Sequence, residues 1–414
     1  MNLTFHGTKL ANGMRIFAHQ YPRCQMVQTG LMFHSGSKND PPRGSGYAHF
    51  CEHLMFTGTP SYPDFDALMS AHGGSNNAWT DYDATCFVNT APPDAINLLL
   101  ELEADRVFHI PTSLNAEKFE IEKDVVRNEL REQYESSPYG SLMLDLSPAM
   151  FGHDHPYGHP VIGNHDDIES ASYESIRSFL KTWYTPSNAT LVIIGDIDPY
   201  SVIEKAKTLF LEIGESSYPD LTVPEPRTQP VRTELKKDAI ASYEYLGMEW
   251  LVPPQNDDRL KSFSLLSDIL CAPRTGLLYK QVELEKKLAT SIESDLQSQL
   301  FNSFFSISST PNTNQERQKV IDCVFEQLTK IANCQIPDKL VEQAKKRHKL
   351  NWLLGLEDVS CRLDILLNWL QNHDSLDAIW SKVRSYEKLN TKNIANAAQW
   401  LLNNRPLMIH GRAL

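Results

Sequence analysis

Two histidines four residues apart, with a glutamate directly before the second, most constrain what this chain can be. The loop-forming segment Pro41-Pro42-Arg43-Gly44-Ser45-Gly46 runs into Tyr47-Ala48 and then His49-Phe50-Cys51-Glu52-His53. On a helix, residues four apart lie one turn above each other on the same face. His49 and His53 then offer two imidazole nitrogens to one metal ion at about 2.0–2.1 Å each. Glu52 falls between them in angle, within reach of a metal-bound water without being a ligand. This is the H-E-x-x-H arrangement with its order reversed. Zinc lowers the pKa of a bound water to about 7, and a carboxylate so placed can take its proton. One Zn2+ per chain, with Glu52 as catalytic base, is the expectation. The competing reading is a helix with two unrelated surface histidines and an acid. A Gly/Pro loop that delivers all three residues in one helical turn weighs against it. Cys51 points to the opposite side of the turn and reads as core.

A catalytic zinc keeps three protein ligands and one open position. The acid-rich segment 115–135, which reads as a long helix with an apolar stripe, is the richest source of the third. Glu122 and Glu129 are seven apart and share a face with Val125 and Val126. An acid beside aliphatics faces inward, at a cost unless something cationic meets it. The pattern leaves Glu129 and Glu122 both open as the ligand. Glu117, Glu120, Asp124, Glu132 and Glu135 read as a solvated face. The histidines at 153, 155, 159 and 165 are irregularly spaced in a loop-like stretch, so they read as structural or solvated rather than as a second metal site.

At 414 residues the chain is too long for one core. Asn12-Gly13 is a turn dipeptide inside a hairpin over 8–36. Thr85–Thr90 and Leu191–Asp196 read as strands, and Pro93–Arg106 as a helix. The Pro-rich stretch from Gly214 to Pro230 marks a linker. Beyond it, Ile240–Tyr245 reads as a strand, 258–271 and 275–287 as helices, and 301–308 as β. The order of elements loosely echoes the first half. Mixed runs of strands and helices point to an α+β fold. Two similar-sized domains are expected, 1–213 with the metal motif and 237–414, joined by a linker over 214–236.

A formal charge of -13 disfavours nucleic-acid binding, which needs a basic face. The seven cysteines are scattered and include no Cys-x-x-Cys, which predicts mostly reduced thiols. Neither a signal peptide nor a run of about 18 apolar residues is visible. A cytoplasmic location is expected, with a periplasmic or organellar one as the alternative.

Several segments together resemble the pitrilysin / insulin-degrading enzyme / mitochondrial processing peptidase family. They are Gly46-Tyr47-Ala48-His49-Phe50-Cys51-Glu52-His53-Leu54-Met55-Phe56-Thr57-Gly58-Thr59, Gly73-Gly74-Ser75-Asn76-Asn77-Ala78-Trp79-Thr80 and Glu122-Lys123-Asp124-Val125-Val126-Arg127-Asn128-Glu129. To these add His155-Pro156-Tyr157-Gly158-His159-Pro160-Val161-Ile162-Gly163 and Trp183-Tyr184-Thr185-Pro186-Ser187-Asn188-Ala189. The resemblance implies two α/β-roll domains and cleavage of short or unfolded peptides inside a closed chamber. The family's ligand spacing selects Glu129, since 75 residues lie between it and His53. Glu122 matches the family's supporting acid, which orients the site without binding metal. Asn77-Ala78-Trp79 matches the edge-strand segment on which substrate adds as an extra strand.

The resemblance also exposes a departure. Family members carry an Arg and a Tyr seven residues apart in another domain, which hold the substrate and its developing oxyanion. Aligned through Glu285–Ala289, those positions here are Glu283 and Thr290. Arg274 and Tyr279 are nearby but five apart. The chain therefore reads as the zinc-bearing subunit of a heterodimer whose second subunit, of the same family, carries the Arg and Tyr. The alternatives are a non-catalytic assembly module of the same fold and a self-sufficient homodimeric oligopeptidase.

Overall fold

The structure, a computed structural model, describes residues 4–42, 44–211, 217–219, 221, 223–224 and 233–413. Most of the expected linker falls outside the described residues. In chain order the first elements are β1 (Phe5–Lys9), β2 (Arg15–Gln20), β3 (Val27–Phe33), α1 (Tyr47–Leu54), α2 (Phe65–Ala71), β4 (Ser75–Thr80) and β5 (Thr85–Ala91). Then follow α3 (Ile96–Ser113), α4 (Ala116–Leu130), α5 (Gly140–Phe151), α6 (His165–Ser170), α7 (Tyr173–Trp183), β6 (Ala189–Gly195) and α8 (Pro199–Phe210). The rest of the chain gives β7 (Thr233–Asp238), β8 (Tyr245–Val252), α9 (Leu260–Cys271), β9 (Ala289–Gln297), β10 (Ser303–Pro311) and α10 (Asn314–Ala332). It closes with α11 (Asp338–Gly355), α12 (Val359–Leu370), α13 (Ile379–Glu387), α14 (Thr391–Asn403) and β11 (Leu407–Ala413).

The fold is α+β, as expected, with two compact units that are not contiguous in sequence. One comprises residues 1–131, 153–224 and 354–378; the other 132–152, 225–353 and 379–414. Each sheet therefore receives one helix from the far half of the chain.

In the first unit the sheet runs β1-β2-β6-β3-β5-β4. The β1–β2 hairpin turns through Asn12-Gly13, with Gly13 at φ 92 and the Leu10 amide donating to the Met14 carbonyl at 2.8 Å. β6, Ala-Thr-Leu-Val-Ile-Ile-Gly, is buried along its whole length, as an apolar run between two covered faces should be. On one face lie α1, α3 and α8. The other is covered by α12, whose Leu363 and Leu367 sit so close to Gly30 that a Cβ there would come within 3.1 Å and 2.9 Å of them. β4 has one neighbour in the sheet and forms its edge.

The second unit repeats this order without the β1 equivalent: β7-β11-β8-β10-β9, with β7 and β11 parallel as β2 and β6 are. The core lies between the sheet and α9, α10 and α14, around Met248, Trp250, Phe305, Val324 and Leu401. The opposite face takes α5: the Phe151 ring lies 5.1 Å from Phe304, and Tyr139 lies 5.7 Å from Tyr245. Of Ile240–Tyr245, expected as a strand, only Tyr245 is in one, as the first residue of β8; the residues before it connect β7 to β8. Asp238 turns the chain there, accepting the Ile240 and Ala241 amides at 2.7 and 3.1 Å. The helix expected over 275–287 is present in shortened form, as a wide-coiled π-helix at Tyr279–Glu285.

Glu249 lies on β8 between Met248 and Trp250 but on the face away from that core, and is buried. Burial, reinforced by Asp295, pushes its carboxyl up to about 8. Because the folded value exceeds the unfolded one of about 4.3, this group's contribution is full below that value and lost as pH rises through about 8. The melting temperature of this unit should fall between pH 5 and 8.5, by about 2–4 °C per kcal/mol lost. Glu249→Gln should flatten that slope in thermal melts; an unchanged slope would contradict the assignment.

Candidate metal centre

α1 begins at Gly46, whose φ of 89 and whose Cβ position, 2.6 Å from the Ile162 carbonyl oxygen, admit only glycine. The helix has no side-chain cap at this position. Its first amides go instead to Asp40, a buried carboxylate that accepts from the Gly46 amide at 2.7 Å and the Ala48 amide at 2.9 Å. Burial raises the Asp40 pKa well above the usual range, although these donors pull it back. Asp167 fixes the preceding residue by accepting from the Ser45 amide at 3.1 Å and hydroxyl at 2.5 Å. Tyr47, Ala48, Phe50, Cys51 and Leu54 are buried, so the turn presents His49, Glu52 and His53 on its other side.

α4 starts at Asn115, whose side chain accepts from the Lys118 amide at 2.9 Å. Its Phe119, Val126 and Leu130 are buried, and the Phe119 ring lies 5.3 Å from that of Phe50 on α1. Lys118 ties the helix to the Gly58 carbonyl at 2.8 Å. With the helices so locked, Glu122 and Glu129 turn towards α1. Val125, which the sequence pattern placed on the inward face, is 42% exposed. Glu117, Glu120, Asp124, Glu132 and Glu135 are exposed, as expected.

His49, His53 and Glu129 converge, each offering one ligand atom within 4.8 Å of the others, and they form the one such group among the described residues. Glu129 Oε2 lies 3.1 Å from His53 Nε2 and 3.7 Å from His49 Nε2. Ligands about 2.0–2.1 Å from a tetrahedral ion stand roughly 3.3–3.4 Å apart, so the spacing fits zinc. The donor set fits as well: two imidazoles and a carboxylate suit zinc and leave a fourth position open. His49 Nδ1 is buried without a hydrogen-bond partner, so packing and whatever its Nε2 faces fix that ring. Glu122 Oε2 stands 3.7 Å from His53 Nδ1, on the far side of the ring from Glu129. The two acids that the pattern left open thus occupy different places around one histidine. The histidines at 153, 155, 159 and 165 form no metal-binding group among the described residues.

Burial, with His53 close by, lowers the His49 pKa to about 4, so this imidazole is neutral and ready to ligate. For His53, burial acts downwards but is outweighed by Glu122 and Glu129, which raise it to about 9. Glu52 is raised chiefly by burial, while Thr80, whose hydroxyl donates to Glu52 Oε2 at 2.5 Å, works the other way. Thr80 was not singled out in the sequence. It lies 28 residues from Glu52 and ends β4, so no helical spacing links the two.

Asn76 and Asn77 lie within β4; the turn at Gly73-Gly74 closes before them with the Gly74 amide on the Met69 carbonyl. Asn77, Ala78 and Trp79 sit on the sheet's edge strand. The Ala78 amide donates to the side-chain oxygen of Asn77 at 2.9 Å, so this amide faces away from β5. In the second unit, α9 packs beside β9 as α1 does beside β4, yet carries no histidine. Glu283 accepts the Ile292 amide at 2.8 Å, and the Thr290 hydroxyl faces the Thr310 carbonyl at 3.4 Å. Both positions are engaged with the sheet.

Two α+β units, one of them carrying His49, Glu52 and His53 on a helix beside Glu129, set the frame against which similar proteins can be compared. Residues 15–164 match the family described as Insulinase (Peptidase family M16), and residues 170–347 match the Peptidase M16 inactive domain. This chain belongs to peptidase family M16. It is similar to the zinc protease PqqE of Helicobacter pylori, 26% identical over 374 residues, which are 88% of this chain and 83% of that protein. The zinc protease YmxG of Bacillus subtilis, itself uncharacterized, is 25% identical over 382 residues, 90% of each chain. The crystal structure of a protease from Helicobacter pylori shares the fold with a TM-score of 0.91 at 22% identity, covering 99% of this chain and 100% of that one.

His49→Ala, His53→Ala and Glu129→Gln should each lose zinc when measured by metal analysis after dialysis, while Glu122→Gln should retain it better. Loss from Glu122→Gln with retention by Glu129→Gln would reverse the two roles. Because a metal must displace the His53 proton, zinc affinity should tighten about tenfold per pH unit between pH 6.5 and 8.5. A flat profile in competition titrations would show that the histidine is already neutral.

Proposed function

We propose that the chain is a zinc metalloendopeptidase that cleaves short or unfolded peptides, acting as the zinc-bearing subunit beside a second subunit of the same family. The observation that carries this reading is the convergence of His49, His53 and Glu129 with Glu52 on the same helical turn. When bound, zinc supplies Lewis acidity that makes a water nucleophilic near neutral pH and polarises a peptide carbonyl. Glu129, His49 and His53 hold the ion, and Glu122 orients His53 through its second nitrogen. Glu52 takes one proton from the attacking water and delivers it to the leaving amine, so that the carbonyl carbon gains the hydroxyl and the nitrogen gains the hydrogen.

A peptide reaches this centre by pairing with β4. The edge presents backbone groups at Ala78, and main-chain pairing gives affinity that tolerates sequence variation. Asn77 Oδ1 covers the Ala78 amide at 2.9 Å and is the group an incoming strand displaces. Glu283 and Thr290 stand where the substrate-stabilising Arg and Tyr are expected, which supports a second subunit that supplies them.

Glu52→Gln should bind zinc as the parent does while losing at least about a hundredfold in peptide hydrolysis, because an amide cannot take the proton. Appreciable turnover by the zinc-loaded variant would place the base elsewhere. The zinc-loaded chain alone should turn over an unstructured peptide feebly, and a subunit carrying the Arg and Tyr should raise the rate by about 10²–10³. Full activity of the lone chain would remove the need for a partner and leave the metal centre unaffected.

A further inference from the structure

The base in this site is held by a single side chain, and that side chain belongs to the strand on which substrate pairing is proposed. Among the described residues, Thr80 alone hydrogen-bonds the Glu52 carboxylate, with its Oγ1 2.5 Å from Oε2. A threonine hydroxyl has one proton, and an ionised carboxylate only accepts, so the proton lies on this contact. Such a charge-assisted hydrogen bond is short and strong, and it leaves Oε1 for other work.

Thr80 is itself backed by a buried network. It stands opposite Thr85 in the β4–β5 register, with the two hydroxyl oxygens 3.4 Å apart. Thr85 is fully buried; its Oγ1 lies 2.9 Å from the Ser35 carbonyl and 2.9 Å from the Tyr184 hydroxyl. Tyr184, also buried, reaches the Ala48 carbonyl at 3.0 Å. Ala48 lies in α1, one turn before Glu52. The contacts run from α1 through Glu52, Thr80, Thr85 and Tyr184 back to α1; with Thr80 donating to Glu52 and Tyr184 to the Ala48 carbonyl, the one Thr85 proton goes either to Thr80 or to the Ser35 carbonyl, and the strand-edge member of this chain of contacts is Thr80.

We propose that Thr80 is a positioning residue that holds Glu52 Oε2, presents Oε1 to the reacting water, and couples the placement of a peptide along β4 to the orientation of the base. This rests on the metallopeptidase reading above. The consequence is a specificity rule. Peptides long enough to pair along all of β4 fix Thr80 and are turned over faster than short peptides spanning only the scissile bond. The advantage appears in kcat rather than in KM alone.

The test compares Thr80→Val, Thr80→Ser and Glu52→Gln as zinc-loaded full chains in their active assembly, on a long and a short unstructured peptide. Thr80→Val is isosteric but lacks the hydroxyl; Thr80→Ser keeps it. Thr80→Val should lower kcat about 10–100-fold, the range for groups that orient catalytic residues, with KM, zinc content and Tm nearly unchanged. Thr80→Ser should recover most of the rate, and the kcat advantage of the long peptide should vanish in Thr80→Val only. A parent-like kcat in Thr80→Val, an equal loss in Thr80→Ser, or a loss accompanied by zinc release would overturn the proposal. Full activity in Glu52→Gln would place the base elsewhere and overturn the proposal with it, whereas a zinc-loaded parent assembly that hydrolyses neither peptide would show that the metallopeptidase reading itself has failed.

Discussion

The packing of α4 on α1 is the constraint on which the rest depends. Two carboxylates, Glu122 and Glu129, are brought by that contact to either side of one imidazole, with a third, Glu52, on the same turn as that histidine. Gathering three acids around two histidines away from bulk water is unfavourable unless a cation joins them. The aromatic contact of Phe50 with Phe119 and the tie from Lys118 to Gly58 hold the helices in this arrangement without using the metal-facing residues. The fold thus sets the site in advance: Glu122 and Glu129 raise the His53 pKa, so the charge that holds the acids together here is the imidazolium, whose place a metal would take.

The loop before α1 shows the same division of labour. Asp40 and Asp167 do no chemistry on a substrate, yet they accept the amides that start the helix and fix the residue before it. A carboxylate at a helix N-terminus also suits the helix dipole. The sheet contributes a different element: β4 offers an open edge, and its last residue reaches the base. Helix, loop and strand each supply one requirement of the centre.

What the sequence disclosed follows from how far each signal reaches. His49, Glu52 and His53 were legible because a helical turn fixes their mutual positions. Glu129 and Glu122 were legible as a pair but not as individuals: they share a face one heptad apart, and only the position of α4 along α1 separates ligand from supporting acid. Val125 misled because it neighbours Val126, which is buried while Val125 is not. Thr80 was silent because its partner lies across strand and helix. The helices α5 and α12 each belong to the unit of the opposite half, and no pattern within a helix says which sheet it will cover. Before Tyr245, where β8 starts, the expected strand gave way to the local turn made by Asp238.

The central claim is that one zinc ion is held by His49, His53 and Glu129. X-ray absorption spectroscopy on the zinc-loaded chain tests it most directly. The account predicts a first shell of two imidazole nitrogens and oxygen ligands, all at about 2.0–2.2 Å, with no sulfur. His53→Ala should remove one imidazole from whatever zinc it still binds. A sulfur ligand at about 2.3 Å, which would bring Cys51 or another thiol into the shell, or a shell without histidine, would contradict it.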